Sequence, residues 1–540
     1  MLGIKFDNLR GDLFGGLTAG VVALPLALAF GEASGAGPIA GLYGAIIVGF
    51  FATLFGGTGS QISGPTGPMI VVFAGVFGAL SGNPGLVFAT VVLAGVIQVA
   101  FGIFKLGQYI KLVPYPVVSG FMTGIGCIII ALQASRLFGH EPEGSGTIPA
   151  LTAIPGAVLD PNWVALGLGL LTLIIVFTWP AKMAKIVPPP LAALVIGTLL
   201  STIIAGAPLL GDIPTGLPSF VIPEFRADTI VIVFEAAFVL ALLGSLDSLL
   251  TSLVADNMTR TKHNSNQELI GQGIGNVFAG FFGGIPGAGA TMRTVVNIRT
   301  GGLTKISGMI HSALLFAVVV SLGPLAAQIP HAVLAGILVK VGYDIVDLAY
   351  LKRAHKGPRW DLLLMVLVLT LTVFVDLITA VIAGVVLASL AFVKQMADLQ
   401  LESIKNLEEG IDQLVPSEEE EILKDVADSV TLFDFNGPLS FGAAADLGHH
   451  VRLKAKGSSA LVIDFLQVPL LDVSAARAVA TICQDATEAK KRIFISGMNS
   501  KVKQVLIALQ EDSVLPEMFY ENRKDALEAT RKFILAAQKN

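Results

Sequence analysis

The sequence predicts an α-helical polytopic membrane protein with a small α/β domain at its C-terminal end, and three observations carry that prediction. Of 540 residues, 54% are hydrophobic and only 14% charged, against roughly a quarter charged in an average soluble protein; the mean hydropathy is +0.76. Apolar stretches of about 20 residues, the length that crosses a bilayer as a helix, recur about fourteen times up to Val393. Beyond about Leu399 acidic residues gather, and alternating short strands and helices replace the long apolar runs. The net charge of −5 averages two unlike regions and says little about partners.

Taken in order, MLGIKFDNLRGD leads directly into a full-length apolar span without a small-residue cleavage site, so no cleavable signal peptide is expected. An even number of spans puts both termini on one side. Lys5, Arg10, Lys105, Lys111, Lys182, Lys185, Arg260, Lys262, Arg299, Lys305, Lys352, Arg353, Lys356, Arg359 and Lys394 fall on that side. The opposite loops, such as HEPEGSGTIPALTAIPGAVLDPN and GPLAAQIP, nearly lack Lys and Arg, apart from Arg136 and Arg226. The positive-inside rule then makes the termini cytoplasmic. Trp163, Trp179 and Trp360 sit at span ends, as interfacial anchors do. Glu32 and Glu235 toward span ends, and Asp376 in a short turn, read as solvated or interfacial groups.

Two stretches interrupt the apolar pattern in the same way. GLYGAIIVGFFATLFGGTGSQISGPTGPM (Gly41 to Met69) and GQGIGNVFAGFFGGIPGAGATM (Gly271 to Met292) each run through GFF and GG to a Gly/Pro break and a new helix. Seven spans separate the copies, and an odd number inverts the second, which is the inverted-repeat plan of many secondary transporters. Glycine and proline release backbone N–H and C=O groups that hydrocarbon cannot satisfy, so such breaks belong where protein or a wet cavity surrounds them. The new helices begin near Pro65 and Gly289. A helix start offers unpaired N–H donors and about half a positive charge, so two that face one another make an anion site without side-chain charge.

Arg293, on the first turns of the second broken helix, either adds attraction for that anion or forms a structural ion pair with a carboxylate on a neighbouring helix. In LLGSLDSLLTSLVADNMTRTKH, Asp247 lies mid-span and Thr251 follows one turn later on the same face. A carboxylate, a hydroxyl and the carbonyls released at PGAGAT make an all-oxygen cage suited to a hard cation such as sodium. A proton taken up by Asp247, or a salt bridge from Asp247 to Arg293, satisfies the same residues.

Several features carry no chemistry. His140, His263 and His355 lie in loops without paired ligand spacing, Cys127 and Cys483 are too few for a disulfide framework, and GQGIGN and GAGATM lack the strand context of nucleotide loops. No catalytic constellation is visible, so an enzyme is not expected.

After the acidic stretch NLEEGIDQLVPSEEEEILKDVADS, the segments SVTLFDFNG, SALVIDFL and RIFISGM read as strands. SAARAVATICQDA, SKVKQVLIAL and ENRKDALEATRKFILAAQ read as helices, giving a domain of about 110 residues.

The motifs SGPTGPM, DSLLTSLVADNMTRTKH and ELIGQGIGNVFAGFFGGIPGAGATMRTVVNIRTGG, together with this C-terminal module, resemble the SulP family of anion transporters, and within it the BicA-type sodium-dependent bicarbonate transporters of cyanobacteria. The resemblance implies fourteen transmembrane segments in a 7+7 inverted repeat (about 12–210 and 229–398) with core and gate domains, within a transport domain spanning 1–400. It also implies an acidic linker over 401–428, a cytoplasmic STAS domain over 429–540, a homodimer and a plasma-membrane location. By the same resemblance, Asp247 and Thr251 match the sodium-liganding pair, completed by Gly289, Ala290 and Thr291. Thr66 and Gly67 at the first broken helix, and Ala290 and Thr291 at the second, match positions that face bicarbonate beside Arg293. Leu26 follows Pro25 where many proton-coupled or sulfate-type relatives place Glu or Gln, and Asp247 stands where many place Glu; both departures favour sodium over protons. Ser474 in VPLLDVSAARAV matches a serine phosphorylated in related anti-sigma-factor antagonists, its plainer role being a helix N-cap. Proton-coupled sulfate or dicarboxylate transport, and a membrane-anchored anion sensor acting through the STAS module, are the competing functions.

Overall fold

The computed structural model describes residues 6–80, 83–110, 114–141, 147–184, 187–211, 218–375, 377–402, 405–406, 417–424, 426, 429–441, 444, 447–448, 451, 455, 457–508 and 516–537. Asp376, Lys5, Lys111, Lys185 and much of the acidic stretch lie outside them. Contacts divide the chain into Met1–Val386 and Leu387–Asn540.

The first unit is helical: α1 (Leu9–Ala33), α2 (Pro38–Phe55), a two-residue strand β1 (Ser63–Gly64), α3 (Gly67–Ala79), α4 (Pro84–Ile103), α5 (Gly107–Ile110), α6 (Tyr115–Leu137), α7 (Thr147–Leu159), α8 (Trp163–Thr178), α9 (Ala181–Ala184) and α10 (Pro189–Ile203). It continues with α11 (Ile230–Thr259), α12 (Ser265–Phe281), strand β2 (Ala288–Gly289), α13 (Thr291–Arg299), α14 (Lys305–Ala326), α15 (His331–Ile345), α16 (Leu348–Leu351) and α17 (Arg359–Phe374), and α18 (Leu377–Glu402) runs on into the second unit. Proline sets many of the starts, occupying the first turn of α2, α3, α4, α6 and α10, where its fixed φ suits the helix and its missing N–H costs nothing.

By length and composition six described helical stretches can cross a membrane: α1, α2, α4, α6, α11 and Ile382–Gln400 within α18. The pair α7 and α8 is apolar enough together but bent by 114° at its break, as in a broken span or a re-entrant loop, and α3, α10 and Lys305–Ser321 of α14 are shorter apolar helices. The nine residues of α13 reach only about 14 Å at 1.5 Å per residue, so the broken helices cannot cross alone.

Packing sorts these helices into two groups. In the first, α12 packs on α2 and α4, α1 on α2, α13 and α14, and α11 on α3 and α4. In the second, α6 packs on α7, α15 and α17, and α8 on α10 and α15. Contacts of α1 with α10 and α15, and of α3 with α6 and α15, form the seam between them. Glycine lets the first group close tightly: a Cβ on Gly95 would sit 2.5 Å from the Gly273 carbonyl, and one on Gly273 would sit 2.5 Å from that of Gly95.

In the second unit β3 (Lys405–Asn406), α19 (Ser417–Lys424), β4 (Val430–Asn436), β5 (Ala460–Gln467), α20 (Val473–Glu488), β6 (Arg492–Ser496), α21 (Ser500–Ala508) and α22 (Arg523–Ala537) follow in order. The sheet order is β3-β4-β5-β6, parallel except for the antiparallel edge β3. Strand alternation gives it two apolar faces: Phe433, Phe435, Ile463 and Phe465 pack beneath α20, while Leu432, Val462 and Phe494 pack beneath α22. The three strands and three helices read from the sequence are all present; β3 and α19 arise within the stretch read as linker.

The N-cap of α20 is Asp472, not Ser474. Asp472 Oδ1 accepts from the Ala475 amide at 2.8 Å and Oδ2 from the Phe441 amide at 2.7 Å, whereas Ser474 is exposed on the first turn. A carboxylate placed just before the first turn reaches the free amides, and a residue already inside the helix cannot.

Candidate anion and cation site

The site begins as backbone. Residues Ser63 and Gly64 pair antiparallel with Gly289 and Ala288, and the Ala290 amide donates to the Ile62 carbonyl at 2.8 Å. Because the strands run opposite ways, the helices that leave them, α3 and α13, start back to back at one place. Thr66 is the N-cap of α3 and Ala290 that of α13, and neither helix start has a side-chain capping bond. Both N-termini therefore present first-turn amides to whatever lies between them. Two glycines permit the approach. A Cβ on Gly289 would lie 2.3 Å from the side-chain Nε2 of Gln61, and Gly64, at φ 149°, would push a Cβ to 2.8 Å from Arg293 Nη1.

Helix α11 supplies the side chains. Thr251 Oγ1 donates to the Gly289 carbonyl at 3.0 Å and shares a 2.7 Å hydrogen bond with the Thr291 hydroxyl. One turn earlier, Ser248 Oγ accepts from the Gly289 amide at 2.9 Å. Asp247 opens into a narrow cleft between α3, α6 and α11, lined by Pro68, Val117, Phe121, Leu243 and Leu246, in which it is the one charged residue. Its Oδ2 is buried and closes no hydrogen bond of normal geometry, and the hydroxyl of Thr66, the N-cap of α3, is the side chain that faces it. An unpaired carboxylate oxygen, threonine hydroxyls and a backbone carbonyl are the kinds of oxygen that a hard monovalent cation takes.

Arg293 is buried, and its Nη2 donates to the Pro65 carbonyl. It acts on Asp247 through space, but among the described residues no ion pair joins them within 4.0 Å. The expected alternative of a direct Asp247–Arg293 salt bridge is thus not realised. The guanidinium instead ties the second broken helix to the loop before the first, leaving the carboxylate open.

A polar network missing from the sequence reading holds the strand pair in place. Glu268, 2% exposed, accepts from the Gly57 and Thr58 amides at 2.9 Å each and from the Gln61 and Gln272 side chains at 2.8 Å each. Gln272 also donates to Ser63 Oγ at 2.6 Å, and Asn276 brackets Gly287 through its amide (2.8 Å) and carbonyl (2.9 Å). The signal was present: Glu268, Gln272 and Asn276 recur every four residues in ELIGQGIGN, one face of α12. Thr294 Oγ1, from α13, accepts the Ile62 amide at 3.0 Å, and Asn297 donates to the Ser60 carbonyl at 2.9 Å.

Other singled-out residues lie elsewhere. Glu235 is exposed, and His263 is held by Asp256 at 2.7 Å. Glu32 is not a free interfacial group: its Oε1 lies 3.2 Å from His331 Nδ1 across the seam between the helix groups. A chain stretched over the α1 end could not show from sequence that α15 begins beside it.

The model of the sulfate permease family matches residues 9–368, two thirds of the chain, and the STAS domain model matches 421–526. The chain belongs to the sulfate permease family. Within it, the chain is 45% identical over 534 residues to the bicarbonate transporter BicA of Synechocystis sp. strain PCC 6803, covering 97% of this chain and 94% of that protein. A putative sulfate transporter of Bacillus subtilis, YvdB, is 33% identical over 517 residues, covering 93% of this chain and 94% of the other. The solved transmembrane domain of a cyanobacterial BicA superposes with a TM-score of 0.67 at 51% identity, covering 70% of this chain and 98% of that one. That family is one of transporters, and the chain also carries a C-terminal STAS domain.

Proposed function

We propose that the chain is a secondary anion transporter that takes up bicarbonate together with sodium. One observation carries the reading: two uncapped helix N-termini meet at the β1–β2 pair beside an unpaired carboxylate oxygen. Sodium, as cargo, takes oxygens from Asp247, Thr251 and the backbone of Gly289, Ala290 and Thr291. Bicarbonate takes the amides at Thr66, Gly67 and Thr291 beside Ala290, whose own amide the Ile62 carbonyl holds, with Arg293 adding positive potential. Each ion offsets the other's charge in a low-dielectric site, so neither binds well alone. The substrate assignment leans on the BicA relative, which is more similar than the sulfate relative.

Transport follows from the two helix groups. The site lies where α3 and α11 of the first group face α6 of the second, so a displacement of one group against the other carries the ions past the seam. In this reading the chain crosses the plasma membrane fourteen times, its N-terminus and STAS domain are cytoplasmic, and it works as a homodimer. Ser474, exposed, remains a phosphorylation candidate.

Uptake of labelled bicarbonate into proteoliposomes tests the proposal. Sodium outside should stimulate uptake, potassium should not replace it, and Asp247→Ala should abolish the stimulation in a folded protein. Stimulation by external acid with indifference to sodium, or competition won by sulfate, would overturn it in favour of proton-coupled sulfate transport.

A further inference from the structure

Away from the transport site, Glu32, Glu141 and His331 bring three ligand atoms within 4.8 Å of one another. Glu32 is the second-last residue of α1 and belongs to the first helix group, while Glu141 follows α6 and His331 opens α15, both in the second. Nδ1 of His331 lies 3.2 Å from Glu32 Oε1 and 3.8 Å from Glu141 Oε1, and its other ring nitrogen, Nε2, faces the Leu209 carbonyl at 3.1 Å.

These contacts fix the chemistry. Nε2 donates to the carbonyl, so Nδ1 is the atom that faces the two carboxylates, and there it holds either a proton, as an imidazolium paired with Glu32, or, once deprotonated, a lone pair for a metal ion. With Nδ1 deprotonated, three ligand atoms converge, and a metal dication can take the place of the proton. A ring N–H given to a backbone carbonyl is also the partner arrangement that metal-bound histidines use. Two ligands on a tetrahedral zinc ion at about 2.1 Å each stand about 3.4 Å apart, between the 3.2 and 3.8 Å separations of His331 Nδ1 from the two carboxylates. Glu141 is 66% exposed on its side chain, so the group is open to solvent, whereas Glu32 and His331 are mostly buried. The Arg136 guanidinium acts on both Glu32 and His331 and leaves the cluster one net negative charge when the imidazole is neutral.

We propose that Glu32, Glu141 and His331 form a site for a transition-metal dication of the zinc type, with water as a fourth ligand, and that its occupancy locks the two helix groups together. A metal ligated from both groups resists any motion that separates them, so it inhibits transport without touching Asp247. The inhibitory part rests on the transport reading above; the metal site does not.

Binding and transport are therefore measured separately. Equilibrium dialysis of the purified full-length chain with Zn²⁺ should show a site that Glu32→Gln and His331→Ala each weaken at least tenfold, with a smaller loss in Glu141→Gln. In proteoliposomes, Zn²⁺ on the side where Glu141 is exposed should inhibit uptake by the unaltered chain, and Glu141→Gln, which leaves basal uptake unchanged, should require several-fold more. Equal Zn²⁺ binding by the unaltered chain and all three variants overturns the site. Loss of binding in the variants with no inhibition of the unaltered chain overturns the lock alone. If His331→Ala fails to fold, the Glu32→Gln and Glu141→Gln pair decides.

Discussion

Thr251 and Asp247 make different demands on a cation, and substitutions should separate them. Thr251→Val deletes the hydroxyl that bridges the Gly289 carbonyl and the Thr291 side chain but leaves the carboxylate. A lost hydroxyl ligand with a neighbour left unpaired costs about 1–3 kcal/mol, so the sodium concentration giving half-maximal uptake should rise roughly tenfold or more with maximal rate largely kept. Asp247→Asn removes the charge, and sodium stimulation should vanish. Glu268 behaves otherwise, because its four accepted bonds hold structure rather than cargo. Glu268→Gln turns an amide toward donors and should lower the melting temperature of the detergent-solubilised chain, with sodium selectivity kept in what remains folded. From sequence, Asp247, Thr251 and Arg293 were legible because a charge or hydroxyl in an apolar run is conspicuous. Glu268 was hidden because it sits near a span end, where a carboxylate is ordinary, and only the fold brings the 57–61 loop onto it.

At the scale of the element, the junctions between strand and helix are where function and backbone meet. Gly289→Ala would drive a methyl to 2.3 Å from Gln61 Nε2, which Glu268 holds, and 3.0 Å from the Ser248 Cα, displacing β2 and with it the carbonyl that Thr251 holds. We expect loss of uptake with near-normal expression, measured against the silent control Gly75→Ala, whose Cβ meets nothing within 4 Å. The breaks themselves were readable as Gly/Pro interruptions; the pairing of β1 with β2 was not, since two residues on each side leave no periodic signal. In the second unit the strands declared themselves by alternation, yet the clamp that joins them did not. Arg523 reaches Glu419 at 2.9 Å, Asp464 at 3.4 Å and Asp434 at 3.6 Å, with only 11% of its side chain exposed. Arg523→Met leaves buried Asp464 without its cation and should destabilise this unit by about 3 kcal/mol, seen as a lower midpoint in urea unfolding of the STAS unit.

For the whole molecule, the division of labour between two helix groups and one STAS unit makes a further prediction. If the site moves one Na⁺ with one HCO₃⁻, the loaded carrier crosses without net charge, and so should the empty one. Uptake should then respond to the sodium gradient and ignore membrane potential. A tenfold inward sodium gradient supplies about 1.4 kcal/mol and sustains about tenfold bicarbonate accumulation and no more. Clamping proteoliposomes with potassium and valinomycin at two potentials checks this directly: equal initial rates support one-to-one coupling, whereas acceleration by an inside-negative potential requires more than one sodium per anion and a second cation position beyond Asp247. Removing the chain from Asp425 onward in the same assay assigns the STAS unit. A transporter whose site lies entirely within Met1–Val386 keeps sodium-dependent flux after that loss, because every side chain placed at the site belongs to the first unit. A sensor that reports occupancy through the STAS unit loses its only output, and complete loss of uptake by a folded truncation would return the second unit to the mechanism itself.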